Sequence, residues 1–471
     1  MKHYQAVVIG GGIVGAGIFR DLALHGVEAL LIEKNDFSSQ TSQSSSKLLH
    51  GGIRYLENMD FELVFEALHE KNLLLSLLPH LAHEVPFYLP VYSDAKRPLW
   101  MIKIGMFLYD LLSSFQNSPH RISSADNVLK EIPGLKKTGL KGAGVYYDGV
   151  MDDAKITLEV IYDALKEINA KALSHVEVID VSISGKLNII RIKDQFTKEI
   201  STVSSDQVIY ALGPFTDRFL SKFPMYNWQN ILLPSKGSHI WIKANDLPLT
   251  FPIVITTNDD RVIFVVPHGD RILVGTTEVP FDGDYFNVQA GLDEIQYLLN
   301  AVNNYFPTAH LKREHILSSF AGIRPLVSEG NNSLGKTSRE HKIYQPLSNT
   351  FVIAGGKYTT FRVMGQEITR QICHLHGKSY NHDFSKKPLR TKSLVTPFAW
   401  HRPTKEELKI ICINEMPKTF EDLVIRRLSI SNRAHWNLRS KDIEFNDFFI
   451  EHFELLKNYI QISKEDILNF H

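Results

Sequence analysis

Three cations stand in sequence contexts suited to gripping a phosphate: Arg54 in HGGIRY, Arg324 in FAGIRP and Lys357 in GGKYTT. Arginine matches two phosphate oxygens with its planar fork, and lysine adds a mobile point charge. Two histidines, His50 in LLHGG and His239 in KGSHI, are candidate proton acceptors because imidazole titrates near neutrality. Arg324 is a candidate for orienting a reacting hydroxyl, its pKa being too high for a base. His50 and Arg54 belong to QTSQSSSKLLHGGIRYLEN at 40–58, where small residues mix with Leu48, Leu49, Ile53, Tyr55 and Leu56. That mixture fits backbone laid against a ligand better than it fits a solvated linker.

Such residues need elements to hold them. The opening AVVIGGGIVGAGIFRDLALHGVEALLIEK reads as strand, glycine turn, helix and second strand, with Gly10, Gly12 and Gly15 as G-x-G-x-x-G and Glu33 closing the second strand. One glycine makes the turn, one admits a pyrophosphate, and one lets helix and strand pack closely. The helix N-terminus offers amides to the phosphates and Glu33 would accept hydrogen bonds from a ribose. An acid there argues against a 2′-phosphorylated nicotinamide cofactor and leaves FAD and NAD open. Residues 208–217, VIYALGPFTD, predict a strand entering a glycine turn, a second close approach to the cofactor. The strand, Gly355–Gly356 turn and helix in FVIAGGKYTTFRVM could point amides at the pyrimidine end of a flavin.

Helices are expected over 60–78, 151–168 and 291–306, with short strands near 176–179 and 187–192. From about 231 to 277 the period changes to two, predicting a mostly antiparallel sheet. The apolar stretch LWMIKIGMFLYDLL at 99–112 carries only Lys103 and Asp110 as charges, seven apart on one helical face. It suits either a core or inter-domain helix or a membrane-surface helix.

At 471 residues the chain can form two or three domains, and its 44% hydrophobic and 22% charged residues are those of a globular protein. Lys and Arg number 52, as do Asp and Glu, so bulk charge predicts no nucleic-acid partner and an anion must be held locally. Two cysteines, no secretory segment and no run of 18 apolar residues make a reducing cytosol the default expectation. No metal is expected.

Several stretches together resemble the FAD-dependent, quinone-linked glycerol-3-phosphate dehydrogenases. They are IGGGIVGAGIFRD at 9–21, SSKLLHGGIRYLE at 45–57, WMIKIGMFLYD at 100–110, DDA at 152–154, KGSH at 236–239, RVIFVVP at 261–267, GTTE at 275–278, GIRPL at 322–326 and GGKYTTFR at 355–362. The resemblance covers roughly residues 4–370. It implies an α/β (α+β) fold: a Rossmann-like FAD-binding domain of the glutathione-reductase/amino-acid-oxidase type from 1–80, 145–225 and 316–380. An antiparallel-sheet substrate domain would come from 81–144 and 226–315, and a shortened helical domain from 381–471.

The implied activity is oxidation of sn-glycerol 3-phosphate to dihydroxyacetone phosphate, with electrons passing through FAD to ubiquinone at the cytoplasmic face of a bacterial inner membrane. The resemblance makes Arg54, Tyr55, Arg261, Thr276, Arg324 and Lys357 substrate contacts. It makes Gly10, Gly12, Gly15, Glu33, Thr41, Ser42, Ser46, Leu48, Gly213, Gly356, Lys357 and Thr359 cofactor contacts. The 100–110 segment would face or adjoin the membrane. Within NEMPKTFEDLVIRRLSI at 414–430, Leu428 stands where the family's helix has a threonine. That departure and the shortened end leave a homodimer and part of the membrane contact open. An oxidase using oxygen, an amine or amino-acid oxidase, and a non-catalytic FAD-stabilised scaffold are the alternatives.

Overall fold

A computed structural model describes residues 1–328, 341–395, 402–429 and 443–470. The sequence expectations at 329–340, 396–401, 430–442 and 471, including Ile430 of the 414–430 stretch, lie outside the described residues.

The first strand, Lys2–Ile9, ends in the buried run Ala6 to Ile9. Such a run suits a parallel strand covered on both faces. It is the centre of a sheet ordered His341–Leu347, Thr350–Gly355, Ile200–Tyr210, Lys2–Ile9, Ala29–Ile32, Ala170–Leu173. Along this order neighbours are parallel except for the antiparallel outer strand His341–Leu347, and the first half of Ile200–Tyr210 also pairs antiparallel with Leu187–Asp194. Helices Ile13–Leu24, Asp153–Ala164 and Phe361–Leu375 cover one face through Ile18, Phe19, Ile161, Phe361 and Ile368. The antiparallel hairpin Val176–Ser184 and Leu187–Asp194, with the short helix Thr216–Leu220, covers the other. Where Ile13–Leu24 meets Phe361–Leu375, a Cβ on Gly365 would lie 2.9 Å from the backbone of Gly17. The two helices that follow the two glycine turns thus approach closely at Gly17 and Gly365, with the Phe361 ring packed against Gly17.

The second sheet is mostly antiparallel, as the period of two predicts. Its longest pairs are Leu232–Lys243 with Ile316–Val327 and Ala82–Tyr92 with Leu140–Met151. Helix Leu292–Tyr305 covers one face with Ile295, Leu298, Leu299 and Val302. Helices Phe61–Leu77 and Leu99–Leu112 pack on the other through Val64, Leu68, Met106 and Tyr109.

Leu48–Leu49, the end of Leu140–Met151, and Ile316–Val327 all join the second sheet, while 1–80, 145–225 and 316–380 are the segments expected in the FAD-binding domain. Alternation shows that a segment is a strand, whereas membership of a sheet depends on which distant edge is free to pair. Helix Leu99–Leu112 likewise departs from the one-face picture. Lys103 is exposed, while Asp110 turns inward and accepts from the amide and ring Nδ1 of His120 at 3.0 and 2.6 Å. No helix among the described residues is long and apolar enough to cross a membrane. The C-terminal residues form a small helical body around Leu408, Phe420, Phe445, Phe449 and Leu456.

Candidate active site

Residues of both sheets line one cavity of about 1570 Å³. Its floor begins at the first glycine turn. Gly10 has φ of +113°, and a Cβ there would lie 2.3 Å from Ala211 O, so a side chain would force adjacent strand ends apart. Gly12 lines the cavity, and a Cβ there would lie 2.9 Å from Ser42 Oγ. Helix Ile13–Leu24 starts after Gly12 without a side-chain cap from that residue, and the Ile13 amide donates to Ser42 Oγ at 2.9 Å. Gly15 does not line the cavity; a Cβ there would strike Gly10 O at 1.9 Å, so its work is packing. Glu33 lines the cavity and accepts from the Gly11 and Asn35 amides at 2.7 and 2.9 Å. Burial raises its carboxyl pKa despite those bonds.

The serine-rich segment wraps the same turn. Ser38 N donates to Gly11 O at 3.0 Å, and Thr41 Oγ1 donates to Ile323 O at 2.9 Å, tying the segment to both sheets. Thr41, Ser42, Ser46 and Leu48 line the cavity, as do Gly213, Gly356, Lys357 and Thr359. A long cavity with a glycine floor, a helix N-terminus beside it and an acid at the second strand fits an FAD dinucleotide. Gly10 to Val14, Glu33 and Ser42 would hold its phosphates and ribose, while Gly355 to Thr359 would meet its other end.

His50, Arg54, Tyr55, His239, Arg261, Thr276, Arg324 and Lys357 all line this cavity. Their settings differ. Arg324 donates through Nη2 to Thr276 Oγ1 at 2.8 Å and through Nη1 to Thr277 O at 3.2 Å. Lys357 Nζ lies over the Tyr55 ring, and Arg54 is exposed at the rim. Arg261 is half engaged elsewhere, pairing with Asp259 at 3.1 Å and donating to Glu278 O at 2.9 Å. His239 is buried, shares a 2.9 Å hydrogen bond between Nε2 and Ser46 Oγ, and stacks on Phe320 with 9° between planes. Burial, followed by the charges of Arg324 and Lys47, holds its pKa well below the usual imidazole range. His239 is therefore poorly suited to take a proton and well suited to shape the cavity wall.

Sequence reasoning gave no role to several groups that hold these residues. Lys47 donates to Asp153 Oδ1 at 2.7 Å, and Ser45 Oγ donates to its Oδ2 at 2.6 Å. The DDA and SSKLLHGG stretches thus meet at one buried ion pair. Asp148 accepts from Tyr109 OH at 2.7 Å, and the Gly51 amide donates to that hydroxyl at 2.9 Å. Buried Lys71 stands 3.6 Å from Asp148. Burial is the main reason the Asp148 carboxyl is pushed up to about 6. The DDA stretch was visible as a motif; Asp148, Tyr109 and Lys71 carry no local signal.

Residues 5–371 match the family described as FAD dependent oxidoreductase. The chain is 36% identical over 386 residues to a glycerol-3-phosphate dehydrogenase of Synechocystis sp., covering 78% of this chain and 70% of that protein. It is 36% identical over 340 residues to an alpha-glycerophosphate oxidase of Streptococcus pyogenes, covering 70% of this chain but only 55% of that protein. The crystal structure of the glycerol-3-phosphate dehydrogenase from Bacillus halodurans complexed with FAD shares the fold. Its TM-score is 0.73 and its identity 22%, with 100% of this chain and 92% of that one covered. The chain belongs to the FAD-dependent oxidoreductase family, with FAD as its cofactor, and is related within it to the glycerol-3-phosphate dehydrogenases and oxidases.

Proposed function

We propose that this protein oxidises sn-glycerol 3-phosphate to dihydroxyacetone phosphate and passes the electrons to ubiquinone. The observation that carries the reading is the gathering of Arg54, Arg324 and Lys357 with His50 at the cavity that fits FAD. Bound FAD supplies the hydride acceptor. Lys357 and Arg324 grip the phosphate end and Arg54 guards the rim, so that C2 is presented in near-attack geometry. His50 accepts the hydroxyl proton as the C2–H bond breaks, and the guanidinium of Arg324 favours the developing alkoxide. His239 keeps the wall dry and neutral beside Ser46.

Two observations support a membrane-bound acceptor. Helix Leu99–Leu112 exposes Trp100, Met101, Ile104, Phe107 and Leu111, and Met101, Ile104 and Leu108 also line the cavity. An apolar face continuous with the site suits peripheral attachment to the inner-membrane surface from the cytoplasm and entry of a hydrophobic quinone. The relationship to an alpha-glycerophosphate oxidase favours oxygen as a second reading. Anaerobic mixing with a panel of phosphorylated polyols tests both. Glycerol 3-phosphate should bleach the flavin, and a ubiquinone analogue should restore its colour faster than air. Faster return with air selects the oxidase, and no bleaching by any polyol phosphate rejects the substrate class.

A further inference from the structure

The C-terminal stretch DLVIRRLS has no part in the reaction proposed above, yet its two arginines are among the most deeply buried side chains in the molecule. Arg426 and Arg427 are 1% and 0% exposed, and both pair with Asp36, itself 1% exposed. Arg427 grips it with both ends of its fork, Nη2 donating to Oδ1 at 2.9 Å, while its Nε donates to Glu415 O at 2.9 Å. Arg426 also donates to Asp422 Oδ1 at 2.8 Å. Asp422 in turn accepts from His175 Nε2 at 2.9 Å. Asp36, His175 and Asp422 bring ligand atoms within 4.8 Å of one another, but the guanidiniums already supply the positive charge a cation would bring.

Asp36 stands at the head of the segment that wraps the glycine turn. Two residues on, Ser38 N donates to Gly11 O, and Ser42 Oγ receives the Ile13 amide. Phe37 packs where a Cβ on Gly11 would lie 2.7 Å from its ring. Ser429 Oγ adds a 2.8 Å bond to Asp152, which caps helix Asp153–Ala164 beside the Lys47–Asp153 pair.

We propose that Arg427, seconded by Arg426, is a positioning residue for the cofactor: through Asp36 it holds residues 36–46 against the glycine turn, so that the C-terminal helices keep FAD in the protein. A fork on a shared carboxylate fixes direction as well as distance, which a single ammonium does not. The inference is independent of which alcohol is oxidised.

The test compares the full-length protein with Arg427→Lys and Arg427→Met. Apo-protein is titrated with FAD by fluorescence quenching, melting temperature is read with and without FAD, and amide hydrogen exchange is followed in 34–46. Arg427→Lys should weaken FAD binding by about tenfold and Arg427→Met by more. The rise in melting temperature that FAD confers should shrink, and exchange in 34–46 should quicken. Lower melting temperatures with and without FAD, at unchanged FAD affinity and unchanged exchange in 34–46, would reduce Arg427 to a structural role and overturn the proposal. If Arg427→Met does not fold, Arg427→Lys decides alone, because it keeps a cationic side chain while losing the fork on Asp36.

Discussion

Lys357 Nζ lies 3.9 Å from the centre of the Tyr55 ring, so the GGKYTT turn and the HGGIRY segment meet face to face at the cavity. The contact is of the cation–π type, with the ammonium held over the face of the ring. Lys357→Met should raise KM for glycerol 3-phosphate by about ten- to hundredfold, the worth of a charge-assisted hydrogen bond. Tyr55→Phe, which keeps the ring, should stay within about twofold of the parent, and Tyr55→Ala should lose roughly five- to tenfold. Steady-state kinetics on flavin-loaded protein measure all three.

Arg324 and Gly12 separate catalysis from cofactor binding. Arg324→Ala should lower kcat/KM by roughly 30- to 1000-fold with flavin content unchanged, since its bonds to Thr276 and Thr277 fasten a cavity wall away from the glycine turn. Gly12→Val should do the reverse and yield colourless protein, its branches entering the space beside Ser42. Absorbance of the purified variants at the flavin band, set against their turnover, checks the pair.

His239 makes stability depend on pH in a definite direction. Its folded pKa is depressed by burial, so as pH falls the unfolded chain takes up a proton first, near the ordinary imidazole value of about 6.5. The stabilisation is present above that pH and is lost below it. Melting temperature should therefore fall more steeply between pH 7 and 5 for the parent than for His239→Gln. The pH limb of kcat/KM should survive His239→Gln and vanish in His50→Gln.

Asp148 acts with the opposite sign. Its folded pKa is pushed up to about 6, so the native protein keeps a proton that the unfolded chain releases near 4. The associated stability is full below about pH 4 and is lost as pH rises through 6. The stability of the parent relative to Asp148→Asn should fall by up to about 3 kcal/mol between pH 4 and 7. Urea unfolding at both pH values measures it.

The outward face of helix Leu99–Leu112 offers a test that leaves the chemistry untouched. Trp100, Phe107 and Leu111, which are not cavity-lining residues, are 62%, 51% and 48% exposed. Serine at all three positions should release the protein from vesicles of bacterial inner-membrane lipid while flavin content stays constant. The loss should reach several kcal/mol of binding if those side chains enter lipid, at about 1.5–3 kcal/mol for each large apolar side chain. Vesicle sedimentation reads the difference.

How much of this was legible beforehand depends on how local each signal was. Gly10, Gly12 and Gly15 act within one turn, so type and spacing carried them. The expected helix 60–78 is observed as Phe61–Leu77, because its apolar period lies within the segment, although the Asp60 side chain at its start makes no capping bond. Gathering Arg54, Arg324 and Lys357 rested on the company of glycines and on family resemblance. That Arg324 leans on Thr276 and Thr277, by contrast, depends on strand Ile316–Val327 joining the second sheet. No pattern within 316–327 says which sheet that will be. Asp148, Lys71 and Asp36 were invisible for the same reason: burial of a charge is set by partners far along the chain.

Strand Thr350–Gly355 lies parallel to Ile200–Tyr210 and delivers the turn Gly355 to Thr359 to the cavity. The flavin's enclosure is thus built from turns that lie far apart along the polymer. Cleaving the chain between them and separating the pieces removes one wall, so retention of the yellow colour reports that both halves still form one body.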